Sequence, residues 1–252
     1  MRNINIPLFS YFGNKDNEIE TISKNIPNMD DIDVIIEPYC GSFALVRKLL
    51  LIYPDKKYVC NDNDELLIKT YKAIQDDKQF EELIEFYKSF EIQNKEHYDI
   101  FKKENSIRSF LFIHIIYRMR YGLYNKDKNK FNDRDFNRLI HFNKNYKNIE
   151  FICGDAKNII EQYKNNSRAF MFLDPPFLLT CSFYKMPMLD YFFDMMKDVN
   201  NCKSKILAVC GDHFLVVCFF EYYKINIKFS TKINYRGRKN NTHDNFYVSN
   251  YA

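Results

Sequence analysis

Leu173-Asp174-Pro175-Pro176-Phe177-Leu178 decides how the rest of this 252-residue chain is read. The run Ala169-Phe170-Met171-Phe172-Leu173 leads into it. It is short, apolar and aromatic-rich, and predicts a buried parallel strand. Two successive prolines stop that strand, since each locks φ and neither has an N–H for a ladder. Their carbonyls are left without ladder partners and can act as fixed acceptors. Asp174 then stands at the carboxyl end of a strand, where open α/β sheets hold their ligands. A carboxylate, a carbonyl and an aromatic ring suit a flat base that carries an amino group, with acceptors for its hydrogens and a ring for its face. A strand that simply ends in a Pro-Pro turn has the same residues. The remainder of the chain has to separate the two readings.

Length allows one large α/β domain, or one domain with an inserted lobe. The hydrophobic fraction of 46% suffices for a core, and the charged fraction of 28% is ordinary. Net charge is only +4, so partners follow from where charge lies, not from its total. Cys40, Cys60, Cys153, Cys181, Cys202, Cys210 and Cys218 form no C-x-x-C pair, which argues against a zinc site or redox dithiol. Most read as small apolar residues, at home in a reducing compartment. The five His are scattered and suggest no metal ligand set. The first residues lack a signal-peptide core. The longest apolar run, 206–220, is broken by Gly211-Asp212-His213. A soluble, cytoplasmic protein with no membrane span is expected.

Working outward, Phe9-Ser10-Tyr11-Phe12-Gly13-Asn14-Lys15 offers a tight turn at Gly13, a cation at Lys15 and a stacking face at Tyr11. A helix over 16–25 should follow, with Ile19 and Ile22 on one side and Pro27 beyond its end; an ordinary capped helix would look the same. Next, Val34-Ile35-Ile36 predicts a buried strand, leading to Glu37-Pro38-Tyr39-Cys40-Gly41. Gly41 permits a sharp turn, and Ser42 can cap a helix over 43–53. A strand, a Gly turn and a helix make the usual nucleotide-site geometry, with backbone N–H groups facing the ligand. There is a single Gly and no phosphate-cradling G-K-S/T. A second strand over 57–60 ends at Asn61-Asp62. An acid there, about 20 residues past the Gly turn, is placed to hold a ribose diol. Asp64 and Glu65 also suit the start of a helix over 65–74.

The pattern changes between residues 76 and 150. Helices are expected over 79–90, 95–103 and 106–118, without strands between them. Residues 102–150 hold 12 Lys/Arg against five Asp/Glu, interleaved with Tyr117, Tyr121, Tyr124, Phe131, Phe136, Phe142 and Tyr146. The loop 118–132 concentrates both features, with Arg118, Arg120, Asn125, Lys126 and Lys128. Cations mixed with aromatics and Asn fit contact with phosphates and bases; a solvated face has the same composition.

Alternation resumes with a strand over 149–153 that ends in Gly154-Asp155, and a helix over 156–163. Beyond the opening motif, a helix over 190–199 and a buried strand over 205–210 follow. Residues 223–229 and 245–251 alternate as an antiparallel hairpin would. Between them lies a second basic loop with Arg236, Arg238 and Lys239, also suited to nucleic acid.

Taken in order, these segments resemble the Dam-type (D12 class) DNA adenine-N6 methyltransferases, including compact phage members. The resemblance rests on Tyr11-Phe12-Gly13-Asn14-Lys15, Glu37-Pro38-Tyr39-Cys40-Gly41, Asn61-Asp62, a helical insert, Asp174-Pro175-Pro176-Phe177 and a C-terminal Asn245-Phe246-Tyr247 strand. The stretch from Arg120-Tyr121-Gly122 to Phe131-Asn132 resembles the family's loop between insert and core. The resemblance implies a Rossmann-like α/β methyltransferase sheet that ends in an antiparallel hairpin. It implies a catalytic domain of residues 1–75 and 148–252, and a helical target-recognition insert of 76–147. S-adenosylmethionine would be the cofactor and double-stranded DNA the partner, with no metal and no membrane involved. The cofactor's methionine end would lie on Tyr11, Gly13, Lys15, Tyr39 and Gly41, with Glu37 also among the cofactor-binding residues. Its ribose would lie on Asp62 and its adenine near Gly154 and Asp155, with Asp174 adjoining the methyl group. Catalysis would fall to Asp174, Pro175, Pro176 and Phe177. GATC would be the default target, and the base must be flipped to be reached.

Two departures stand out. Position 43, often a second Gly in the family, is Phe43, which bears on how closely the backbone meets the cofactor. The tetrad ends in Phe177, where Tyr is commoner. An RNA adenine-N6 methyltransferase and a non-catalytic nucleic-acid-binding relative remain as alternatives. Retention of both Asp62 and Asp174-Pro175-Pro176 argues against the second, and the motif order together with the basic insert argues against the first.

Overall fold

A computed structural model describes residues 7–9, 11, 13–117, 124–176, 196, 201–211, 213–234 and 242–251. Its strands are β1 (Val34–Glu37), β2 (Lys57–Asp62), β3 (Ile149–Cys153), β4 (Ala169–Leu173), β5 (Lys205–Gly211), β6 (Ile227–Asn234) and β7 (Thr242–Ser249). Among the described residues they form one sheet in the order β3-β2-β1-β4-β5-β7-β6. Strands β1 to β5 run parallel, and β7 is antiparallel to both β5 and β6. This is the Rossmann-like methyltransferase sheet expected, with its C-terminal hairpin. Strand order reverses between β1 and β4, where Val34, Ile35 and Ile36 pair with Ala169, Phe170 and Met171. The carboxyl ends of those two strands therefore flank the crevice of the sheet.

The two-residue period of each strand sorts its side chains into two cores. Ile35, Tyr58, Cys60, Phe170, Phe172, Leu207, Val209 and Tyr247 face one cluster. Val34, Ile36, Val59, Ala169, Met171, Leu173, Ile206, Ala208 and Val248 face the other. Helices α1 (Ile19–Ser23), α2 (Ala44–Leu50), α3 (Glu65–Gln75), α4 (Asp77–Ser89), α5 (Lys95–Lys103), α6 (Ile107–Ile116) and α7 (Asp133–Asn145) bury residues in the first cluster. Helices α8 (Ala156–Tyr163) and α9 (Phe214–Tyr223) bury theirs in the second. Ile19 and Ile22 both lie buried on α1, as their spacing predicts.

Three local expectations change. Ser42 does not cap α2. The backbone passes through left-handed conformations at Gly41 and Phe43, and this brings the Glu37 carboxylate, 2.6 Å from the Val46 amide, to the helix end instead. Residues 133–145, read as part of a basic region, form α7, capped reciprocally by Asn132 and Asp135. The hairpin starts later than 223, because α9 runs through Tyr223 before the chain turns into β6. The helix over 190–199, apart from Met196 in an α-helical position, lies outside the described residues. No helix among the described residues is long and apolar enough to cross a membrane.

Candidate active site

The carboxyl ends of β1, β2 and β4 bring the sequence-derived residues to one place. Leaving β1, the Cys40 amide donates to the Asn61 carbonyl at 2.8 Å. Gly41 then adopts φ +44, donates its amide to Asp62 Oδ2 at 2.9 Å and accepts the Tyr71 hydroxyl at 2.7 Å. The Tyr11 ring lies against it, so that a Cβ at Gly41 would come 3.0 Å from Tyr11 Cδ1. Only glycine meets both demands without strain. The Tyr11 hydroxyl donates to Asp64 Oδ2 at 3.2 Å.

Asp62 accepts a second amide, from Asp64, at 3.0 Å on Oδ1. Burial raises its carboxyl pKa above the ordinary value, and these backbone hydrogen bonds oppose the rise. Beside it, Asn61 is fully buried and donates to the carbonyls of Pro38 and Gly154, both at 2.9 Å. That amide stitches the β1 turn to the β3 turn. Asn61 Oδ1 has no hydrogen-bond partner. Gly154 donates to the Asp62 carbonyl at 3.1 Å, while Asp155 caps α8 by accepting the Lys157 amide at 2.9 Å.

Asp174 leaves β4 next to these turns. The Lys15 side chain is only 6% exposed, and its Nζ donates to Asp174 Oδ2 at 2.7 Å and to the Gly13 carbonyl at 2.8 Å. Burial raises the Asp174 pKa, and the Lys15 ammonium opposes the rise. Pro175 is buried and Pro176 half-buried. Glu37 is buried at the end of β1, and burial pushes its carboxyl up to about 8, which favours the protonated form. Tyr39 is half-buried against the second core cluster. Phe43 points away from the crevice. Its ring meets Tyr71, Phe142, Tyr146 and Phe151 edge-on at 5.2–5.8 Å.

Asn125, Lys126 and Lys128 lie on an exposed turn, closed by the Lys128 amide on the Asn125 carbonyl at 3.1 Å. Phe177, Arg118, Arg120, Arg236, Arg238 and Lys239 lie outside the described residues. Among the described residues, no His, Cys, Asp and Glu side chains group as metal ligands.

One residue of the site is absent from the sequence reading. Glu18 is buried, accepts the Tyr247 hydroxyl at 2.8 Å and the Asn245 amide at 3.1 Å, and also accepts the Thr231 hydroxyl. The hairpin is thereby tied to the segment that carries Lys15. Asn245 and Tyr247 stand two apart on one strand face, and that spacing is the only signal the sequence holds for the contact.

Residues 11–194 match the model of the D12 class N6 adenine-specific DNA methyltransferases. The chain is also 28% identical, over 204 residues, to the Type II methyltransferase M.MjaIII of Methanocaldococcus jannaschii, which spans 68% of each sequence. Among solved structures, a human methyltransferase 10 domain containing protein aligns with TM-score 0.45 at 9% identity, over 94% of this chain and 81% of that one. TrmN from Thermus thermophilus aligns with TM-score 0.38 at 9% identity, over 92% of this chain and 47% of that one. Likenesses this distant say nothing of substrate.

Proposed function

The chain belongs to the D12 class N6 adenine-specific DNA methyltransferase family, and from that premise we propose that it methylates N6 of an adenine flipped out of double-stranded DNA. The cofactor that goes with this family is S-adenosylmethionine, which when bound supplies a methyl group on a positively charged sulfur. The observation that carries the proposal is that adjacent strands β1 and β4 deliver the Gly41 turn and Asp174 to the same end of the sheet.

The residues present fit the cofactor. Gly41 lets the turn pass directly under the Tyr11 ring, where a Cβ would meet that ring at 3.0 Å. Each Asp62 oxygen accepts one amide and keeps lone-pair capacity for a hydroxyl. Asn61 Oδ1 offers an unused acceptor beside Gly154. In this reading Asp62 holds the ribose, Gly154 and Asp155 border the adenine, and Tyr11, Gly13, Tyr39 and Gly41 enclose the methionine end.

Asp174 and the Pro175 carbonyl accept the two N6 hydrogens of the target base. The N6 lone pair is normally shared with the ring, and this pairing localises it toward the methyl group. Pro176 stiffens the turn, and Phe177 stacks on the flipped base. Holding base and methyl group in line supplies much of the acceleration. Flipping is required because the duplex hides N6 from such a crevice. The helical segment 76–147 reads the target, with Arg118, Arg120, Asn125, Lys126 and Lys128 on the phosphates and bases, and Arg236, Arg238 and Lys239 adding phosphate contacts. GATC is the target proposed.

Incubation with labelled S-adenosylmethionine and duplex DNA, single-stranded DNA or RNA tests substrate class. Methylation-sensitive sequencing of the DNA identifies the target. Label on duplex DNA at GATC is expected; label on RNA alone would overturn the reading.

A further inference from the structure

Lys15 and Asp174 are 159 residues apart, yet their side chains meet at 2.7 Å in a nearly buried contact. Lys15 is itself constrained. Its ammonium also donates to the Gly13 carbonyl, and its own carbonyl accepts the Glu18 amide at 2.9 Å. Glu18 is in turn gripped by the hairpin through Asn245, Tyr247 and Thr231. A continuous set of contacts therefore runs from β7 through Glu18 and Lys15 to Oδ2 of Asp174. No described residue donates to Oδ1, and the Asp174 side chain is 19% exposed.

We propose that Lys15 is a positioning residue for the methyl-transfer step: it occupies Oδ2 of Asp174 and so presents Oδ1 to the amino group of the target base. This deepens the assignment of Asp174 under Proposed function and rests on it. It differs from a role for Lys15 in holding the cofactor's methionine end.

The two roles separate by their effect on pH dependence. Asp174 acts as a carboxylate. Burial raises its pKa and Lys15 opposes the rise, whereas Glu18 adds to it. Four groups face this carboxylate: Lys15 and Glu18 from the turn before α1, Glu37 from β1 and Tyr247 from β7. Removing the Lys15 charge leaves only acidic or neutral groups among these four. The pKa of Asp174 then rises, and the ionised form is reached only at higher pH.

The test is kcat against pH for Lys15→Met and Lys15→Arg at saturating cofactor and duplex DNA. An opposite charge at this range moves a carboxyl by about one to three pH units. The acid limb of Lys15→Met should shift upward by that amount, with activity recovered on the alkaline side. Lys15→Arg should keep the limb in place, and KM for S-adenosylmethionine should stay within about twofold in both. If Lys15→Met does not fold, 13C NMR titration of the Asp174 carboxyl in cofactor-free Lys15→Arg and wild type reads the same quantity without turnover; both should titrate within about half a unit of each other. An unmoved limb with a raised KM for the cofactor overturns the proposal, as does an Arg variant whose Asp174 titrates more than a unit away. Asp174→Asn serves as the separate control: near-normal turnover there would remove the role of Asp174 itself, whatever Lys15 does.

Discussion

The Gly41 amide donates to Asp62 Oδ2 at 2.9 Å, so the turn leaving β1 and the acid ending β2 form one hydrogen-bonded unit 21 residues apart in sequence. Asp62 thereby shapes the turn as well as offering its own acceptors. Both contributions are lost together if the carboxylate is removed.

Asp62→Ala should weaken binding of S-adenosylmethionine by about 10–100-fold, the equivalent of one hydrogen bond to a charged group. Isothermal titration calorimetry measures this directly. Duplex DNA affinity should change by less than about twofold. Cofactor affinity equal to wild type would place Asp62 outside the pocket.

Phe43 carries φ +42, the left-handed conformation that a glycine adopts without penalty. Phe43→Gly relieves about 1–2 kcal/mol of backbone strain. It also empties a site ringed by four aromatics, and loss of a buried Phe costs about 3–5 kcal/mol. Packing outweighs strain, so the variant should be less stable by roughly 1–4 kcal/mol in urea unfolding. A more stable variant would show that strain dominates this turn.

Glu37 titrates near 8 in the fold against an ordinary 4.5. Between those values the folded state holds a proton that the unfolded chain has released, so stability falls as pH rises through the window. Below about 4.5 both states are protonated, so this stability is fully present and no longer changes with pH. Glu37→Gln keeps an acceptor for the Val46 amide but cannot titrate. Denaturant midpoints at pH 5 and pH 8 should show the variant gaining on wild type at the higher pH. A difference that stays constant would mean that Glu37 is ionised in the fold.

Much of the sheet was legible because its central strands β1 and β4 are buried on both faces, and each reads as a short apolar run stopped by Gly, Pro or an acid. Val34-Ile35-Ile36 and Ala169 to Leu173 are such runs, and their ends carry Gly41 and Asp174. Helix α9 escaped because Phe214 to Phe220 is apolar all round, and such a run has no period of either kind. Its Phe214 and Tyr222 remain 73% and 78% exposed, so burial alone does not explain that composition. Helix α7 did carry a signal, the Asn132–Asp135 capping pair followed by Phe136, Leu139 and Phe142 at helical spacing, but its Lys, Arg and Asn content favoured reading it only as part of a basic region. Glu18 left no trace in the sequence beyond the two-residue spacing of Asn245 and Tyr247. Its partners come 213 to 229 residues later, and only the folded sheet brings them together.

In the proposed mechanism Asp174 activates N6 of adenine in duplex DNA for methyl transfer. That role is tested most directly by digesting cofactor-treated duplex DNA to nucleosides and measuring N6-methyladenine by mass spectrometry, for wild type and for Asp174→Ala. Wild type should produce N6-methyladenine, and the variant should produce none while binding DNA within a few fold of wild type. Methylation at another atom by wild type, or near-normal N6-methyladenine from the variant, would remove that role from Asp174.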